Sequence, residues 1–170
     1  MSVEEELQEH TEHARDPFDK RVAGTMAILA AALAVTSVMG HLATTEEIVN
    51  QERASDQWAY YQAKTIRRYE SEIARDVLAS QPAKMAEYEK NAARYTKEGE
   101  DIQKEAQALE AESHLKGQQA VRFEFGEVFL EVAIVLASLA ILTKLKPVWW
   151  VAIAVGAGGV VVATTVTLIK

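Results

Sequence analysis

Two glutamates interrupt an otherwise apolar stretch of the chain. Between Phe125 and Thr143 the only acidic or basic residues are Glu127 and Glu131. Four residues apart, they share one face of a helix. A charge well inside a membrane-crossing helix costs roughly 2.5–3.5 kcal/mol, and less near its ends, so such residues face protein or water. His41 stands near the end of a second apolar run and is expected at about the depth of the two carboxylates. In a symmetric oligomer Glu127 and Glu131 would stack as two carboxylate rings, the lining of a cation-selective pore. The plainer reading sets Glu127 at an interface and leaves Glu131 neutral or paired with His41 or Arg122. On the first of these readings, Glu127, Glu131 and His41 are the candidate ion path.

Other chemistry is thinner. Near the start, Glu6 stands four residues before His10, and Glu9 four before His13. Imidazole and carboxylate are suitable ligands for a divalent metal, which makes Glu6, His10 and His13 weak metal candidates. The competing reading is an exposed acidic helix opened by a Ser2–Glu5 capping box, with the pairs as side-chain support. With no Cys, disulfide scaffolds, thiolate zinc sites and cysteine nucleophiles are excluded. There is no phosphate-binding glycine loop, nucleophile elbow or His-Glu-x-x-His motif. The sequence is read as that of a non-enzyme without cofactors. An acidic chain, of net charge -7, also disfavours nucleic acid as a partner.

The elements that position these residues follow from the segregation of charge. No Asp, Glu, Lys or Arg occurs from Val22 to Ala43 or from Pro147 to Ile169. Each run matches the roughly 20 residues a helix needs to cross about 30 Å of hydrocarbon. The first is too long for a signal-peptide core and follows Glu4, Glu5, Glu6, Glu9 and Glu12 instead of a basic start. The expected order is an acidic tail over 1–21, transmembrane helix 22–43, an extramembrane hairpin over 44–124 turning at 80–82, transmembrane helix 125–143, a tight turn at 144–147 and transmembrane helix 148–170. The fold class is therefore all-α: three transmembrane helices with a long antiparallel, coiled-coil-like helical hairpin. Trp149 and Trp150 suit a membrane–water interface.

Within the hairpin, Met85, Tyr88, Ala92, Tyr95, Gly99, Ile102, Ala106 and Leu109 recur at 3-4 spacing, the pattern of a coiled-coil seam. On the first arm, Trp58, Gln62, Ile66, Tyr69, Ile73 and Val77 form a less regular stripe. The aromatics Trp58, Tyr60, Tyr61, Tyr69, Tyr88 and Tyr95 are candidate interface residues, for packing between arms or protomers or for docking a partner. Tyr60 and Tyr61 are adjacent and cannot both face one seam. In the last apolar run Gly156, Gly158 and Gly159 mark a close helix-packing surface. A two-helix arm with few apolar residues buries little by itself, so the chain is expected to form a homo-oligomer.

Basic residues set the expected orientation. Arg15, Lys20 and Arg21 precede the first apolar run, and Lys144 and Lys146 fill the tight turn. Arg53, Lys116, Arg122 and Lys170 flank the opposite ends. Five against four places the amino terminus in the cytoplasm and the hairpin in the periplasm or outside the cell.

Four stretches carry a family resemblance: Glu9-His10-Thr11-Glu12-His13-Ala14, Asp16-Pro17-Phe18-Asp19-Lys20-Arg21-Val22-Ala23, Gly40-His41, and the run from Ala54 through Trp58, Tyr60, Tyr61 and Lys64 to Arg67. The chain resembles an uncharacterised bacterial membrane-protein family catalogued as a domain of unknown function. The resemblance implies a multi-pass protein of the bacterial inner membrane, with lipid as its surroundings, and no activity. Three roles are in view: a structural homo-oligomer with a coiled-coil stalk, a cation or proton channel lined by Glu127 and Glu131, and an accessory subunit with a partner on the hairpin or tail.

Overall fold

The computed structural model describes residues 16–168. Its regular structure is entirely helical: α1 spans Pro17–Val77, α2 Pro82–Thr143 and α3 Lys146–Thr164, followed by a single 3-10 turn, Thr165–Leu168. The chain's three prolines all stand at helix starts. Pro17 and Pro82 are the first residues of α1 and α2, and Pro147 the second of α3. There the missing N–H would have had no helical partner, and the ring pre-sets the backbone. Asp16 caps α1 by accepting the Phe18 N–H at 2.8 Å. Between α1 and α2 the Gln81 N–H donates to the Leu78 carbonyl at 2.8 Å. After α2 the backbone turns through Lys144, whose φ of 57° is the left-handed geometry that ends many helices.

The chain divides into two compact units. Among the described residues, unit two comprises 45–116, and unit one 16–44 and 117–168. Unit one holds the start of α1, the end of α2 and all of α3. Gly126, Leu130, Ala133, Ala137 and Ala140 repeat at 4-3-4-3 spacing as the buried face of α2. Val22 and Leu29 on α1 and Ala152, Gly156, Gly159 and Ala163 on α3 complete the core. Most of these residues are Ala or Gly, so the helices approach closely and gain from van der Waals packing. Outward, unit one shows Ile28, Val35, Leu42, Val135, Leu142, Trp150 and Val161, all more than half exposed. Three helices, one from each of α1, α2 and α3 with its 3-10 turn, are long and apolar enough to cross a membrane.

In unit two, α1 and α2 are cross-linked by polar side chains. Glu46 pairs with Lys116, Trp58 with Glu110 and Lys64 with Glu98. Residue numbers rise on one helix as they fall on the other. Buried between them are Asn50, Ala54 and Ser71 of α1, and Ala92, Gly99, Ile102, Ala106 and Ser113 of α2. The α2 stripe from Met85 to Leu109 thus faces inward throughout, buried or half-buried. The α1 stripe does not. Trp58 is half-buried, but Gln62, Ile66, Tyr69, Ile73 and Val77 are exposed.

The reason is periodicity. The α2 positions average about 3.4 residues and stay aligned with a 3.5-residue seam. Against that same seam the α1 stripe, which averages about 3.8, drifts by roughly 150° between Trp58 and Val77. The α1 face that does follow the seam is Asn50, Ala54, Tyr61, Lys64, Arg68 and Ser71, polar or small at most positions.

Candidate functional site

In unit one the two glutamates part company. Glu127 borders the buried face of α2 and is half-buried, whereas Glu131 is exposed on the side that carries Val128, Val135 and Leu142. Gly40 faces Phe123: a Cβ added at Gly40 would stand 3.2 Å from the Phe123 Cβ. His41 is exposed and so lies level with Arg122. At about 1.5 Å per residue, that is roughly 7 Å from the level of Glu127 and 13 Å from that of Glu131. The expected common depth is therefore replaced by a ladder over more than two helical turns. Among the described residues, no three His, Asp or Glu side chains gather as a metal ion would need. The weak metal candidates Glu6, His10 and His13, and the Ser2–Glu5 capping box, lie outside the described residues.

Two aromatics of unit two, Tyr60 and Tyr95, flank one ion pair. Lys64 Nζ lies 2.5 Å from Glu98 Oε2, with the Tyr60 and Tyr95 rings 5.0 and 5.6 Å away. The Glu98 hydrogen bond, followed by that of Tyr60, raises the Lys64 pKa. The same bond from Lys64 lowers that of Glu98. The Trp58 indole N–H donates to Glu110 Oε1 at 2.8 Å, and its ring meets Tyr61 edge-on at 5.6 Å. Tyr61 covers Gly99, where an added Cβ would stand 3.6 Å from its ring. Tyr60 is exposed while Tyr61 is half-buried, as two adjacent residues require. Tyr88 and Tyr95 line a groove with Arg67, Glu70, Ser71 and Ala74. Tyr69 points outward, with the Arg68 guanidinium 4.6 Å from its ring centre. Trp58, Tyr61 and Tyr95 thus make polar and ring contacts between α1 and α2.

The glycines of α3 have separate surroundings. A Cβ on Gly159 would stand 2.9 Å from the Gly126 carbonyl oxygen, and one on Gly156 would run into the Leu29 side chain. At Gly158 nothing lies within 4 Å. Gly156 and Gly159 therefore pack helices within the unit, while Gly158 does not.

A further cluster joins the start of α1 to the α2–α3 turn. Lys144 Nζ binds Asp19 Oδ2 at 2.5 Å and Asp16 Oδ2 at 3.2 Å. The Phe18 backbone N–H and then Lys144 hold the Asp16 carboxyl below its usual range. Asp19 and then Asp16 raise the Lys144 pKa, against some desolvation. Beside them the Trp149 indole donates to Thr25 Oγ1 at 3.1 Å and meets Phe18 edge-on at 5.9 Å.

One family model, described as "Domain of unknown function (DUF4337)", matches residues 18–169, which take in all of unit two and most of unit one. The chain belongs to this family. No curated protein and no solved structure matches it. The resemblance read from the Trp58 and Phe18 motifs thus holds at the level of a family without an assigned function.

For this family member, sequence reasoning missed the partners that tie elements together. Glu98 and Glu110 carry no motif of their own, and Lys144 reads only as a basic residue of the tight turn. No local signal identifies these pairings: the contacts of Glu98 and Glu110 span 34 and 52 residues, and those of Lys144 span 125 and 128.

Proposed function

We propose that the protein is a homo-oligomeric structural protein of a membrane, with the three apolar helices of unit one crossing the bilayer and unit two as an extramembrane, antiparallel coiled-coil hairpin. The observation that carries this reading is apolar surface left outside both units. In unit one, Val35, Val135 and Leu142 are 65–82% exposed, which lipid accommodates and water does not. In unit two every exposed large apolar residue lies on α1, chiefly Ile66, Tyr69, Ile73 and Val77, and α2 offers none. An apolar stripe gains most from another apolar stripe, so a second copy is the fitting cover. Lys20, Arg21, Lys144 and Lys146 favour a cytoplasmic position for their end of unit one. Lipid and further copies are then the partners, and the reading assigns no catalysis. The test is the mass of the purified chain in lipid nanodiscs and mild detergent. A discrete multimer is expected; a monodisperse monomer in nanodiscs overturns the proposal.

A second reading is favoured by Glu131 alone. A carboxylate on the outer, apolar face of α2 beside Val128 and Val135 needs a polar neighbour, and copies arranged in a ring would supply one while lining a cation or proton path. Vesicles loaded with a pH- or cation-sensitive dye test it. Flux that falls with Glu131→Gln supports the channel; absent or unchanged flux removes it.

A further inference from the structure

At the Lys144 end of unit one the charges are sorted. Asp16 and Asp19 both turn to Lys144, forming a cluster of net charge -1. From residue 16 to 25 and from 140 to 152 these are the only two acidic residues, against Lys20, Arg21, Lys144 and Lys146. The surplus falls on Lys20, Arg21 and Lys146, all exposed and without an ion pair to any described residue.

The packing gathers these bases at one end. Trp149 reaches Thr25 and Phe18, so the first turns of α1 and α3 lie side by side. Arg21 is four residues before Thr25 on α1, and Lys146 is three before Trp149 on α3, so both flank the same seam. Around them Leu145 and Trp150 expose 52% and 62% of their surface. Bases beside exposed apolar and indole surface form an amphipathic rim. It matches a ligand with an anionic head joined to an apolar body. Water-soluble anions offer nothing to Leu145 and Trp150.

We infer that Lys20, Arg21 and Lys146, with Trp150 and Leu145, form a site for the phosphate headgroup of anionic phospholipids, selecting them over zwitterionic ones. Lys144 and its two aspartates position this site by keeping carboxylates away from the arriving phosphate. The inference rests on the membrane reading above.

The test uses the full chain carrying Trp58→Phe, reconstituted in vesicles, with Trp149 and Trp150 as the fluorophores. Brominated phosphatidylglycerol and brominated phosphatidylcholine serve as quenchers. Basic residues near a charged surface each favour anionic lipid, so a preference of roughly threefold to tenfold for phosphatidylglycerol is expected. The triple variant Lys20→Gln, Arg21→Gln, Lys146→Gln should bring the ratio to about one. Lys104→Gln, in unit two, should leave it unchanged. Equal quenching by both lipids in the unsubstituted chain, or a preference that survives the triple variant, overturns the site while leaving the membrane reading intact. Quenching by neither lipid overturns the membrane reading itself. If inorganic phosphate abolishes the preference and sulfate at equal ionic strength does not, the site belongs to free phosphate, and the lipid assignment falls.

Discussion

Gly159 of α3 packs against the backbone of Gly126 on α2, with 2.9 Å between the Gly126 carbonyl oxygen and the place a Gly159 Cβ would occupy. Gly159→Ala must push these backbones apart. Overpacking of this kind costs about 1–3 kcal/mol, partly offset by the roughly 1 kcal/mol that Ala gains over Gly in a helix. Gly158→Ala meets open space and keeps only the gain. Thermal melts in detergent should show Gly159→Ala melting below the parent and Gly158→Ala at or above it. Equal melting temperatures for the two would refute the close approach.

The Lys64–Glu98 pair gives unit two a definite pH window. Glu98 is held below the ordinary carboxyl range, so it adds stability above about pH 4.3, the ordinary glutamate value. That contribution disappears as pH falls through its lowered value. Lys64 is raised, so its share is present below about pH 10.4, the ordinary lysine value, and is lost as pH climbs through the raised value. Glu98→Gln should flatten the acid side of the profile. Helical circular dichroism from pH 7 down to 2, on parent and variant, provides the check; parallel curves would count against the pair.

Ser113 is buried, and its hydroxyl donates to the Glu47 carbonyl oxygen at 3.0 Å, across 66 residues of sequence. Ser113→Ala loses that bond while nearly keeping the volume, at an expected cost of about 0.5–1.5 kcal/mol. Ser55→Ala, at an exposed position of the same unit, should cost less than about 0.5 kcal/mol. Chemical unfolding of both variants separates the two cases.

The outward stripe makes a prediction about assembly. Ile66 and Ile73 are 58% and 63% exposed, so Ile66→Ser with Ile73→Ser removes little packing within the chain. Helix content should stay the same while the multimer dissociates at lower dilution. Analytical ultracentrifugation in matched detergent reads the shift. A multimer of unchanged strength would move the interface elsewhere on the molecule.

How much was legible in the residues depends on the range of the interaction. Pro17, Pro82 and Pro147 mark three helix starts because ring geometry acts on neighbouring residues. The inward face of α2 was legible because Met85 to Leu109 recur at 3-4 spacing. The α1 stripe was misleading, since exposed and buried apolar residues look alike in one dimension and small angular errors accumulate. Lys64 and Glu98 could not be matched beforehand, because many Lys and Glu residues on the two arms offer similar pairings.

The sequence by itself determined an all-helical chain, its breaks, and the division into charge-free and charge-rich segments. These follow from proline geometry, helix-forming composition and runs of apolar residues, all of which act locally. Only the tertiary structure decided that Glu127 borders the core while Glu131 faces outward, that Gly156 and Gly159 but not Gly158 seal helix contacts, and that Lys144 gathers Asp16 and Asp19. Each depends on which face of a helix meets a neighbour. That choice is made by packing, where a rotation of one residue, about 100°, exchanges inside for outside.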